Sequence, residues 1–210
     1  MLSFLRLSRH AALVAGVAAL AACSDTPTAT EIDAGEPTLA RAPAPTDASI
    51  AAIAIESEFT ELVGALAYVD AELDAGLVNL FLNGTDQYTV FAPTNEAFED
   101  LYGLLSAVLG AEIDEISDVP AEVVLDVLFY HVTEGRRAAN SVVPKRNPRK
   151  ITSLLGETFR VRGDLTIEDG LTGLRDDASI LSADISASNG IIHVIDAVIV
   201  PPSVVAALTS

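Results

Sequence analysis

Tryptophan is absent from the 210 residues and cysteine occurs once. Without indole rings, and with only 7 Phe and 4 Tyr along the whole chain, there is no evident stacking platform for bases or sugar rings, which weighs against a lectin. A lone cysteine excludes an internal disulfide framework. Cations are scarce as well: 12 Lys and Arg stand against 30 Asp and Glu, a net charge of −18. Phosphate contacts need Lys and Arg, so this balance speaks against a nucleic-acid partner and predicts repulsion from anionic surfaces. What is abundant is apolar: half the residues are hydrophobic, enough at this length for one sizeable core and one domain.

The first residues carry a positive cluster, Arg6, Arg9 and His10, ahead of an apolar run from Ala11 to Ala22. A bilayer-spanning helix needs about 20 apolar residues, so this shorter run is expected to be the apolar part of a signal peptide over residues 1–22. It ends at Leu20-Ala21-Ala22-Cys23, which resembles a bacterial lipobox and makes Cys23 the expected site of lipidation. A single acyl chain, at about 0.8 kcal/mol per buried methylene, binds membranes marginally, whereas the two or three chains of a lipoprotein hold permanently. The membrane is thus an expected partner through the lipid anchor, and Ser24, in place of Asp, resembles the pattern of lipoproteins sent to an outer membrane. Residues 23–50 are rich in Thr, Pro, Ala, Asp and Glu with no helical or strand period, and are expected to form a disordered tether.

Periodicity begins beyond that segment, and residues 51–210 are read as one domain. Phe59, Leu62, Val63, Leu66 and Val69 recur at helical spacing. Tyr88 to Ala92 reads as a strand stopped by Pro93, and Thr94 or Asn95 can cap the helix that follows. Pro120 suits a helix start, with Val123, Val124, Val127, Leu128 and His131 on one face. Strands are expected at Thr158 to Arg162, Leu165 to Ile167, Ser179 to Leu181 and Ile191 to Val200. The last is apolar on both faces and should be central and covered on both sides. Helices followed by strands without regular alternation predict an α+β class.

Three segments, Tyr88 to Phe98 (YTVFAPTNEAF), Leu128 to Gly135 (LFYHVTEG) and Asn189 to Pro202 (NGIIHVIDAVIVPP), resemble the fasciclin family in order and spacing. The resemblance implies a single fasciclin domain, a β-sheet wedge with several packed helices, found in adhesion proteins. Its motif positions here are Thr94, Asn95, Tyr130, His131, Asn189, Gly190 and His193, and turn and capping chemistry explains most of them structurally. Animal members carry an adhesion sequence containing Asp-Ile; Asp184 and Ile185 match that pair, whereas the flanking Ser182, Ala183 and Ser186 depart from it. A structural reading, with Ile185 in the core and Asp184 in a turn, stands beside the adhesive one.

Catalytic chemistry is hard to assemble. Apart from His10 there are two histidines, no Gly-x-Ser-x-Gly elbow, and no zinc-type His-Glu-x-x-His spacing. His193 and Asp196 lie three positions apart on a strand and point to opposite faces. The run from Asp164 through Thr166 and Glu168 fails as a calcium loop, with Asp169 where Gly is needed and Arg175 where Glu is needed. No enzyme, cofactor or metal is expected.

The placement of charge says more than its total. Between Ala42 and Gly135 there is no Lys or Arg, and then eight cations crowd residues 136–162 with Glu157 as the sole acid. Arg136, Arg137, Lys145, Arg146, Arg149 and Lys150 either balance the acidic remainder internally or form a contact site for an anionic polysaccharide, a surface protein or a second copy. The Pro-containing run 144–150 reads as a surface loop. Arg162-Gly163-Asp164 spells an integrin tripeptide at an expected hairpin tip, although Gly-Asp is also common turn chemistry. The reading is therefore an exported, lipid-anchored envelope protein, at an outer membrane or cell surface, that works by adhesion or by matrix or polysaccharide binding. The alternative is a periplasmic small-molecule or glycan-binding lipoprotein.

Overall fold

Local side-chain chemistry sets where each helix begins. Ser49 accepts the Ala52 amide and starts α1 (Ile50–Glu56). Helix α2 (Thr60–Leu73) stops at Asp74, whose φ of +51 is left-handed. α3 (Leu77–Asn83) has both Asp70 carboxylate oxygens on its first amides, from Leu77 at 2.7 Å and Val78 at 2.8 Å, which satisfies two donors that a helix start leaves open. Strand β1 (Tyr88–Pro93) leads through the Thr94 cap into α4 (Asn95–Leu109), which Gly110 ends at a φ of +64. A 3-10 turn at Ile116–Asp118 precedes α5 (Ala121–Tyr130), β2 (Val132–Glu134) and the short α6 (Ala139–Val142). Next come β3 (Arg149–Thr152), β4 (Thr158–Val161), β5 (Thr166–Glu168), β6 (Ala178–Ala187), β7 (Gly190–Ile195) and α7 (Pro202–Leu208).

The computed structural model describes residue 46, residues 48–173 and residues 175–208. The expected signal peptide, Cys23 and the tether through residue 45 lie outside them. The expected boundary at residue 51 is too late. Thr46 donates its hydroxyl to Ser186 O at 2.9 Å, Ser188 N–H reaches Ala48 O at 2.7 Å, and Ser49 caps α1, so these residues belong to the fold.

The seven strands form one sheet in the order β2-β1-β7-β6-β5-β4-β3, with β1 and β7 parallel and every other pair antiparallel. The class is α+β, as the order of helical and strand patterns predicts. Alternation along β1 and β7 separates two cores: Val90, Ala92 and Ile192 face α1 to α5, whereas Phe91 and Ile195 join Tyr130, Val142, Ile151 and Phe159 on the other side. Every residue of β7 is buried, and each buried aliphatic contributes about 1.5–3 kcal/mol.

Four expectations are corrected. β7 ends at Ile195 rather than at Val200, because side chains then take the backbone donors: His131 Nε2 accepts from Ile199 N–H at 3.1 Å and Asp169 Oδ2 from Val200 N–H at 2.8 Å. Arg149 and Lys150 are in strand β3, not in a loop; Ile151 beside them is fully buried and pairs with Phe159, which fixes the register. β6 is much longer than Ser179 to Leu181, and its register shifts between Ile180 and Ser182 and again between Ser182 and Ile185. Leu165 lies outside β5, and its φ of +74 places it in the hairpin turn.

Candidate functional site

The motif residues bind elements to one another. Thr94 Oγ1 accepts the Ala97 amide at 3.2 Å, while Asn95 reaches away from its own helix, accepting from Glu61 N–H at 3.1 Å and donating to Glu58 O at 3.0 Å. Asn189 is buried; its Oδ1 accepts from Ile50 N–H at 2.8 Å and its Nδ2 donates to Phe81 O at 2.9 Å, so one turn residue holds both α1 and α3 against β7. Gly190 sits where a Cβ would come within 2.1 Å of Tyr88 O, which excludes any side chain. The Tyr130 hydroxyl donates to Thr158 O at 3.0 Å from a fully buried ring.

Both described histidines are buried and engaged at both ring nitrogens. His131 Nδ1–H donates to Val127 O at 2.6 Å while Nε2 accepts from Ile199, and burial holds its pKa down at about 4. His193 Nε2–H donates to Arg137 O at 2.9 Å, Nδ1 accepts from Asp184 N–H at 3.3 Å, and burial lowers its pKa too. These neutral rings act as hydrogen-bond staples, and neither is aimed at a nucleophile. Among the described residues no group of three or more His, Cys, Asp or Glu is placed to hold a metal ion.

Asp184 and Ile185, expected as an adhesive pair in or before a turn, lie in the irregular middle of β6. Asp184 has a φ of +63 and accepts the Ala139 amide at 2.7 Å, capping α6, and Ile185 packs against the helical core. These interactions are within the domain and agree with the structural reading of the pair, with Ile185 against the core, while both residues remain partly exposed.

The basic segment divides in the same way. Of the two readings of Arg136, an internal role or a contact with an anionic partner, the hydrogen bonds favour the first: its guanidinium donates inward to Ala187 O, Gly190 O and Ser186 Oγ. Arg137, half-buried, donates from Nε to Glu134 O at 3.0 Å, and the exposed Arg149 donates to Ser141 O at 2.7 Å. Lys145, Arg146 and Lys150 are exposed. In the β3–β4 pairing Lys150 lies directly opposite Arg160, whose side chain is 63% exposed. Strand alternation sends Ile151, Phe159 and Val161 inward and puts these two cations together on the outer face. Glu168 offers them little: it is 3.9 Å from Arg160 and pairs more closely with Arg162. Arg160 did not stand out in the sequence as a contact residue, although the alternation Thr158-Phe159-Arg160-Val161 would have shown its direction.

The Arg162-Gly163-Asp164 tripeptide does cross the β4–β5 hairpin. Its arginine pairs with Glu168 and, at 3.6 Å, Asp177, and its aspartate accepts from Thr166 N–H and Oγ1–H, hydrogen bonds that lower the carboxyl pKa. Asp169, weighed in the sequence only as part of a failed calcium loop, is a buried anchor. It pairs with Arg175 at 3.0 Å and accepts from Leu171 and Val200 amides.

A separate feature left no mark in the sequence. An apolar cavity of about 280 Å³ lies where the core under α2, α4 and α5 meets the small cluster beneath α7. It depends on the spacing between helices, which periodicity does not report.

Comparison with known proteins agrees with this arrangement. The family model described as Fasciclin domain matches residues 57–201. The protein sll1483 of Synechocystis is 39% identical over 58% of this chain and 59% of its own length. The cell surface glycolipoprotein MPB83 of Mycobacterium bovis is 33% identical over 62% of this chain and 50% of its own. The transforming growth factor-beta-induced protein ig-h3 of Sus scrofa is 31% identical over 72% of this chain but 19% of its own length. The chain thus spans less than two thirds of each of these relatives. The match over most of the described fold, with the hydrogen-bonded Thr94, His131, Asn189 and His193 inside it, establishes that the chain belongs to the fasciclin domain family.

Proposed function

We propose that this protein is an exported lipoprotein of the cell envelope, anchored through Cys23, which works by adhesion: its fasciclin domain binds an anionic polysaccharide through the outer face of β3 and β4. The observation that carries this reading is the cross-strand pair Lys150 and Arg160, two exposed cations side by side in a protein of net charge −18. Like charges directly opposite on a sheet are destabilising, so the pair is costly to the fold and useful to an anionic partner. Lys145 and Arg146 precede it in the same exposed segment. Every other approach meets a chain with a large excess of carboxylates, so this face orients the encounter. The name of the mycobacterial relative, a cell surface glycolipoprotein, supports an anchored surface location. A binding rather than catalytic role is supported by two histidines whose ring nitrogens are all taken up by backbone.

The test is retention on an immobilised polyuronate such as alginate. Reversing Lys145, Arg146, Lys150 and Arg160 to Glu in the full chain should weaken binding by about tenfold or more and flatten its salt dependence, because exposed charges are screened over about 8 Å at physiological ionic strength. The side chains are exposed, so the melting temperature should barely move. Unchanged affinity with an unchanged salt slope overturns the proposal.

A further inference from the structure

Protein interiors are packed to the density of organic crystals and rarely leave voids larger than a water molecule. The apolar cavity of about 280 Å³ is far larger than such voids. Leu62 of α2, Phe98 and Leu105 of α4, Val124 of α5 and Val204 of α7 form its walls. His131 also lines it, but both of its ring nitrogens are already bonded to backbone, so it offers the interior no open donor or acceptor. Water entering such a space would lack the two to four polar partners it needs. An apolar cavity of about 150 Å³ accepts benzene, so this one, at about 30 Å³ per group, has room for roughly ten methylene-sized groups.

The mouth defines the other end of the ligand. Leu109 lines the cavity and is itself 45% exposed, and Val108 beside it is 51% exposed, so the apolar lining reaches the surface at the end of α4. The segment that follows carries Glu112, Asp114, Glu115 and Asp118, all exposed, and Asp118 borders the cavity. The carbonyl end of α4 adds partial negative charge at the same place. No Lys or Arg occurs between Ala42 and Gly135, and none in α7; the cation beside the lining, Arg175, donates to Val198 O and pairs with Asp169 at 3.0 Å, so its charge is already matched by a carboxylate.

The geometry points to a binding site for a medium-length hydrocarbon chain whose head group is uncharged or cationic, held tail-first between α2, α4, α5 and α7. This site is independent of the β3–β4 face, so its failure would leave the adhesive proposal standing, and the reverse holds as well.

The test uses the full chain carrying Cys23→Ser, so that no acyl anchor competes, with the uncharged fluorophore N-phenyl-1-naphthylamine as probe. Saturable fluorescence enhancement is expected, with displacement by 1-decanol and decyltrimethylammonium at concentrations about tenfold or more below those needed for decanoate. Leu105→Trp should fill the space and abolish the enhancement while the circular-dichroism melt stays cooperative. Because an overfilled core can fail to fold, Leu109→Glu at the partly exposed mouth provides a second variant, expected to weaken probe binding several-fold. Glu112→Lys with Asp114→Lys should bring decanoate level with decanol. Absence of saturable binding, or unaltered binding in folded Leu105→Trp or Leu109→Glu, overturns the site. Decanoate competing as well as decanol in the parent chain overturns the assignment of the head group.

Discussion

His131 shows how a motif residue can be fixed by structure alone. Its ring closes the end of α5 onto the segment after β7, and the contact exists only while Nε2 is unprotonated and able to accept the Ile199 amide. Burial lowers the folded pKa to about 4 from an ordinary value of 6.5. The unfolded chain therefore takes up a proton below 6.5, while the folded one resists until about 4. Stability from this group is fully present above 6.5 and is lost as pH falls from there through 4, by about 3 kcal/mol in all. His193, also lowered by burial, contributes with the same sign. We expect His131→Phe to be less stable than the parent at pH 7 by about 1–3 kcal/mol, since the Ile199 amide loses its partner, and to show a shallower decline in acid. Urea melts of both proteins at intervals from pH 7 to 4 measure this directly. Parallel declines would show that the ring does not titrate as its burial requires.

At the scale of elements, Asn189 joins three of them at once, and its side chain is the link. Asn189→Ala leaves the buried Ile50 amide and Phe81 carbonyl without partners, and each such group costs about 1–3 kcal/mol. The expected loss is about 2–4 kcal/mol, with amide exchange in α1 and α3 accelerated more than in β1. Uniform acceleration across the sheet would mean that the residue serves the turn and not the helices. The sequence reveals Asn189-Gly190 as a turn but not these two contacts, because they lie more than a hundred positions away. Elements with a strong period were legible: α2, α4, α5, β1 and the buried core of β7 fall where apolar spacing puts them. β2 and β3 were not, for a physical reason. Three residues of β2 follow directly on α5 and carry no alternation of their own, and β3 buries a single residue, Ile151, after a run of cations that reads as loop. β7 was overrun because Ile199 and Val200 remain buried beyond the strand, satisfied by His131 and Asp169 in place of a neighbouring strand. The proposed contact face was legible only as composition. The cluster of cations was visible, but the inward turn of Arg136 and the outward pairing of Lys150 with Arg160 needed the register.

Across the whole molecule the two charge signs are segregated. Acids alone occupy the stretch that builds α1 to α5, and most of the cations follow between Arg136 and Arg162, four of them, Arg149, Lys150, Arg160 and Arg162, on or beside β3 and β4. A chain of net charge −18 is repelled by the anionic headgroups of a bacterial leaflet, and among the described residues no helix is long and apolar enough to cross a membrane. On the proposed lipoprotein reading, attachment rests on Cys23. Two or three acyl chains at about 0.8 kcal/mol per buried methylene would hold far more strongly than the repulsion opposes. Cys23→Ser should therefore move the protein from the membrane pellet to the soluble fraction. The domain should keep its melting temperature, since the nearest described residue, Thr46, lies well beyond the substitution. If the variant still sediments with membranes and resists a high-salt wash, Cys23 is not the anchor, and the surface assignment has to rest on some other attachment.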